Sequence, residues 1–155
     1  MAKVLSKIFG KKNEENKGGI DWSAYPARLA PGLFFLSTAT DKAGADEETA
    51  KGIHGMASAL PGTDMFEPKD FIKLVSAAEY GVGAALVTPF IPNRVAGAAL
   101  TAFSTGLLGM YFRIPGMIRE GSKIRPSQNG TALAKDFWLL GTGISLMLLG
   151  KKRNK

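Results

Sequence analysis

Residues 71–91, FIKLVSAAEYGVGAALVTPFI, are long enough to cross a bilayer, yet a carboxylate, Glu79, lies inside the run. A helix needs about 20 apolar residues to span a hydrocarbon core of roughly 30 Å. A charge held in that core costs on the order of 3 kcal/mol or more, so it turns toward a protein interior, a partner charge or a wet cavity. What Glu79 faces therefore constrains everything else the chain can do.

The remainder repeats the pattern. The 155 residues fit a single domain, with apolar residues gathered in four blocks and charges between them. Nineteen glycines and little strand-like alternation agree with membrane helices, where glycine is frequent. The net charge of +7 raises nucleic acid as a partner, but the Lys and Arg residues flank the apolar blocks and form no single stripe. They read as the positive margins of a membrane protein whose partner is the lipid bilayer, with no nucleic acid. Cysteine is absent, which excludes a thiol–disulfide relay, a Cys-ligated cluster and a covalently attached haem. A single histidine, His54, excludes internal bis-His haem ligation. No phosphate-cradling glycine loop, Ser-His-Asp arrangement or zinc spacing occurs, so no catalytic residue and no metal site are assigned. Gly81 and Gly83 inside an apolar block are a packing feature.

In chain order, residues 1–25 form a basic arm and linker. Val4, Leu5, Ile8 and Phe9 fall on one helical face opposite Lys3 and Lys7, a pattern for an anionic membrane surface or, equally, for a solvated tail. Trp22 and Tyr25 follow where interfacial aromatics would stand. The first block covers residues 26–43, but only 29–40 are uncharged, about 18 Å of helix. Arg28 is expected to snorkel to the inner interface, with Asp41 and Lys42 near the outer one. In the polar connection 44–70, Asp46-Glu47-Glu48 opens a helix with Ile53, Met56, Ala57 and Leu60 on its apolar face, closed by Pro61-Gly62. His54 beside that face is a surface or packing histidine.

The turn at 89–94 is so short that the third block, 95–112, must return antiparallel to the second. Its Gly97, Thr101, Thr105 and Gly109 recur at steps of four, a row that permits close helix approach. A Pro/Gly-rich loop, 114–131, carries Arg119, Lys123 and Arg125. The last block, 132–150, has Lys135 and Asp136 in its first turns and Gly141 and Ser145 as a small contact face. The basic tail 151–155 closes the chain.

These features predict an all-α integral membrane protein, an antiparallel four-helix bundle over 26–150 with an extracytoplasmic interfacial helix between helices one and two. The basic residues place both termini on the cytoplasmic side. In that topology Asp41, Lys42 and Arg113 end two helices at the outer side, while Glu79, Lys135 and Asp136 lie near the start of the other two. Three acids thus balance three bases at similar depth. One reading is a buried salt-bridge network that fixes helix register. The other is a wet pocket opening outward, lined also by Tyr80 and Trp138, for a small polar or anionic molecule or a quinone head group. In such a pocket a desolvated Glu79 would accept protons unless a cation held it ionised.

The segments RLAPGLFFLSTATDK, LVSAAEYGVGAAL and ALAKDFWLLGTGISLML resemble the DoxX-like family of small bacterial membrane proteins, and GIHGM and RVAGAALTAFSTGLLGMYFRIPGM agree with one branch of it. The resemblance covers about residues 26–150 and leaves out the basic arm. It implies a four-helix protein of the bacterial inner membrane. Some relatives are subunits of a thiosulfate:quinone oxidoreductase, others associate with oxidant-defence proteins, and many have no assigned activity. The family's acidic residue of the second helix corresponds to Glu79, and its Lys-Asp pair to Lys135 and Asp136. The implied function is a membrane subunit of a quinone-linked or oxidant-defence redox complex with a redox-protein partner. A small-molecule binder or transporter and a purely structural partner are the alternatives. No thiol mechanism of the broader group is open to a chain without cysteine.

Overall fold

The computed structural model describes residues 22–152, so the amphipathic arm expected at 1–12 and the last three residues of the basic tail lie outside it. The described residues are helical with no strand: α1 Tyr25–Ala43, α2 Glu47–Ala57, a 3-10 turn Thr63–Met65, α3 Pro68–Val87, α4 Asn93–Arg113, the short α5 Thr131–Ala134, and α6 Asp136–Lys152. Prolines start α1 and α3, where a missing N–H is harmless. Asp46 caps α2 by accepting from the Thr49 N–H at 2.8 Å, which holds the Asp46 carboxyl below its ordinary range.

The four long helices pair off. Arg28 and Ala39 of α1 bond to Leu86 and Ser76 of α3, so these two run antiparallel. Gly97 and Tyr111 of α4 meet Gly143 and Phe137 of α6, again antiparallel. The pairs join through Phe35 against Phe103, ring centroids 5.1 Å apart and edge-to-face. Around this contact sits a core of Val82, Leu86, Ala96, Leu100 and Leu146. α2 and the turn after it cover one end: Leu60 reaches Gly109, and His54 bonds the Thr63 carbonyl at 3.1 Å and packs edge-on to Phe71.

Two helical runs, Asn93–Arg113 and Thr131–Leu149, are long and apolar enough to cross a membrane. Only 33% and 17% of their apolar windows are buried in the protein, whereas the core helix of a soluble domain is mostly buried.

Several boundaries and faces differ from the sequence expectation. α3 begins at Pro68 and ends at Val87, because Pro89 and Pro92 cannot continue it, and 88–92 become the turn. α2 buries Ala50 and Ala57, while Met56, expected on the apolar face, is half exposed. The expected contact face at Gly141 and Ser145 points outward; Gly143 meets α4 instead. Along α4, Gly97 and Thr101 touch α6 and Gly109 faces Leu60, but Thr105 is exposed. Gly83 does pack, against Leu36 and Gly32, whereas Gly81 touches nothing.

Candidate functional site

Glu79 is 5% exposed and faces a partner charge. The Lys42 ammonium donates to both carboxylate oxygens, at 2.9 and 3.0 Å, and Thr38 Oγ1 donates to Oε2 at 3.2 Å. A cation thus holds this carboxylate, the condition under which no proton-acceptor role is expected of it. One turn earlier on α3, Ser76 Oγ bonds the Ala39 carbonyl at 2.8 Å. Beside the pair, Tyr80 is on the outer surface with its hydroxyl 2.9 Å from Thr40 Oγ1.

The other candidate charges do not join this pair. Asp41 and Arg113 are exposed and make no ion pair among the described residues. The Lys135 ammonium lies over the Phe34 ring, 4.7 Å from its centroid, a cation–π contact. Asp136 is buried, 2% exposed, in the first turn of α6, where the helix dipole favours a negative group. It forms no ion pair among the described residues, and the neighbouring Lys135 is the charge that acts on it. So the six-charge cluster resolves into one closed ion pair, Lys42 with Glu79, one buried acid, Asp136, beside a lysine engaged in a cation–π contact, and two exposed charges, Asp41 and Arg113. Trp138, the other aromatic proposed for a pocket wall, is 80% exposed.

The densest polar site lies at the opposite end, and sequence reasoning missed it. Arg28 is 3% exposed and does not snorkel. Its Nε donates to the Leu86 carbonyl at 2.9 Å, Nη1 to Ile91 and to Asn93 Oδ1 at 2.8 and 2.9 Å, and Nη2 to Ala85 and Thr88 at 2.7 and 2.8 Å. All five guanidinium donors are used. Tyr25 adds its hydroxyl to the Val87 carbonyl at 2.6 Å, and the Thr88 N–H returns to Ala84. Every one of the last four carbonyls of α3, the groups a helix end leaves unpaired, is satisfied. The signal was present in the sequence: a turn with two prolines and no glycine cannot cap its own helix, so donors must come from elsewhere.

Among the described residues no group of three His, Asp or Glu side chains is placed to hold a metal ion. Ser104 Oγ, in the middle of α4, is the one buried side-chain polar atom found without a partner among them. Compared with known proteins, the chain matches no family model, no curated relative and no solved structure. The DoxX resemblance therefore stands on the sequence segments quoted above.

Proposed function

We propose that the chain is an integral membrane protein crossing the bacterial inner membrane four times, with both termini cytoplasmic. In this reading it is a DoxX-like membrane subunit of a quinone-linked or oxidant-defence redox complex. The observation that carries the membrane assignment is the apolar exterior of helices that bury polar groups beside an apolar core. Arg28, Ser76, Glu79 and Asp136 are buried, whereas Leu33, Phe34, Leu74, Val95, Phe112, Ile144 and Leu148 are exposed. Water would favour the reverse, and lipid favours what is seen. At 1.5 Å per residue, α1, α3, α4 and the α5–α6 run are each about 28–33 Å long, the scale of a hydrocarbon core of roughly 30 Å, with the exposed Lys69, Asp70 and Lys73 in the first turns of α3 lying at its margin. The charge on Arg28 does not shorten the first span, because its donors are consumed by carbonyls inside the protein.

The subunit role draws on the DoxX resemblance and on the closed Lys42–Glu79 pair, which suits a part that supplies architecture while a partner supplies redox chemistry. Purification in mild detergent tests it: a redox protein and quinone are expected to co-purify. A lone, quinone-free protein in that preparation contradicts the role. One observation favours the second reading, a small-molecule binder or transporter: Asp136 is a buried acid whose nearest acting charge, Lys135, is turned onto the Phe34 ring and forms no ion pair with it among the described residues. Under that reading a ligand raises the melting temperature of the native chain and not of Asp136→Asn.

A further inference from the structure

The loop 114–130 is a built hairpin. Ile118 and Pro126 form an antiparallel bridge, the Arg119 N–H bonds the Arg125 carbonyl at 2.9 Å, and the Ser127 N–H bonds the Met117 carbonyl at 2.9 Å. The tip turns at residues 119–122, with the Ser122 N–H on the Arg119 carbonyl at 3.1 Å and Gly121 at φ 78°, a backbone region that favours glycine. Ser122 Oγ accepts from the N–H groups of Ile124 and Arg125 at 3.3 and 3.0 Å. The buried Tyr111 hydroxyl donates to the Ile124 carbonyl at 2.7 Å, tying the hairpin to the last turns of α4.

This framework displays Arg119, Lys123 and Arg125, all exposed, against one acid, Glu120. None of the four makes an ion pair among the described residues. Between two of the cations Ile124 is 63% exposed. Unpaired cations flanking an exposed aliphatic residue match the boundary between head groups and acyl chains. The Tyr111 tie holds Ile124 to the last turns of α4, where Phe112 is also exposed.

We propose that the 114–130 hairpin binds anionic phospholipid head groups, with Arg119, Lys123 and Arg125 on the phosphates and Ile124 seated in the boundary. The proposal rests on the membrane reading above and adds a lipid preference to it. The test uses the full chain in nanodiscs of phosphatidylcholine with phosphatidylglycerol. Ile124→Trp in a Trp22→Phe/Trp138→Phe background reports the hairpin, and Trp138 alone, in a Trp22→Phe background, reports the spans. Lipids carrying a quencher high on the acyl chain are expected to quench both reporters. Lipid retained through detergent extraction is expected to be enriched in phosphatidylglycerol at least about twofold over the bulk. That enrichment should vanish in Arg119→Gln/Lys123→Gln/Arg125→Gln. A hairpin reporter quenched by aqueous iodide and not by lipid overturns the proposal, as does unchanged enrichment in the triple variant. Loss of self-association in that variant without a change in retained lipid overturns it in favour of a protein partner. If Trp138 too escapes the lipid quencher, the membrane reading itself falls.

Discussion

The two helix pairs solve one packing problem in different ways. Both approach closely through glycine. A β-carbon at Gly32 would lie 2.7 Å from Val87 Cγ2, and one at Gly97 would lie 2.6 Å from the Gly143 carbonyl oxygen. Beyond that they diverge. The α1–α3 pair is bolted at one end by Arg28 and Tyr25 and at the other by Ser76 and the Lys42–Glu79 pair. The α4–α6 pair relies on bare backbone contact and ring packing of Tyr111 on Phe137, and its polar contact, Thr101 Oγ1 to the Met147 sulfur, is a weak 3.7 Å. The same division explains hydropathy: the helices that qualify as apolar spans are those without internal bolts. Arg28, Ser76 and Glu79 argue less against a membrane than the sequence suggests, because their partners lie inside the protein, whereas Asp41, Lys69, Asp70 and Lys73 are exposed toward the helix ends.

Removing bolts should therefore damage one pair and spare the other. Arg28→Ala strips donors from several buried carbonyls at once, and a loss of about 4 kcal/mol is expected in denaturant unfolding in detergent. Arg28→Lys should recover only part of it, since an ammonium carries three donors where five are used. A full rescue by lysine would mean that charge, not hydrogen bonding, caps α3. Next, Lys42→Met leaves Glu79 buried and unpaired, with an expected cost of about 3 kcal/mol. Adding Glu79→Gln should return most of that loss, and additive single and double variants would show that the pair is not coupled.

The glycine contact sharpens the comparison from the other side. Gly143→Ala should cost about 1–3 kcal/mol by forcing α4 from α6, while Gly141→Ala, two residues away with open space, should be neutral or stabilising. Equal effects would place the contact face where the sequence row suggested it. Smallest of all, Ser104→Ala removes a buried hydroxyl without a partner and should change the melting temperature by no more than the equivalent of about 1 kcal/mol, most simply upward.

The helical character of the chain, the opening of α2 at Asp46 and the antiparallel return forced by the 89–94 turn were legible in the sequence, because local rules decide them. The meeting of Lys42 with Glu79 was legible in part: topology brought six charges to similar depth but could not choose pairs. Helix rotation makes that choice, and it turned Asp41 and Arg113 outward and Asp136 inward. Rotation also decided that Gly143 and not Gly141 touches α4. Arg28 escaped because an arginine near a block's edge reads as an interface anchor. Its true partners are four backbone carbonyls and Asn93 Oδ1 some 60 residues away, announced by the uncapped proline turn and by no hydropathy pattern.

The central claim is that these helices stand in a bilayer with the 88–92 turn on one side and the α2 turn and the 114–130 hairpin on the other. Single cysteines at Met65, Phe90 and Glu120, introduced into a chain that has none, test it in sealed cells with a membrane-impermeant maleimide. Phe90 is 82% exposed in its turn, so a cysteine there is accessible. Met65→Cys and Glu120→Cys are expected to label from outside, and Phe90→Cys only after the membrane is opened. Labelling of Phe90→Cys from outside together with the other two, or of none of the three before lysis, would contradict the account.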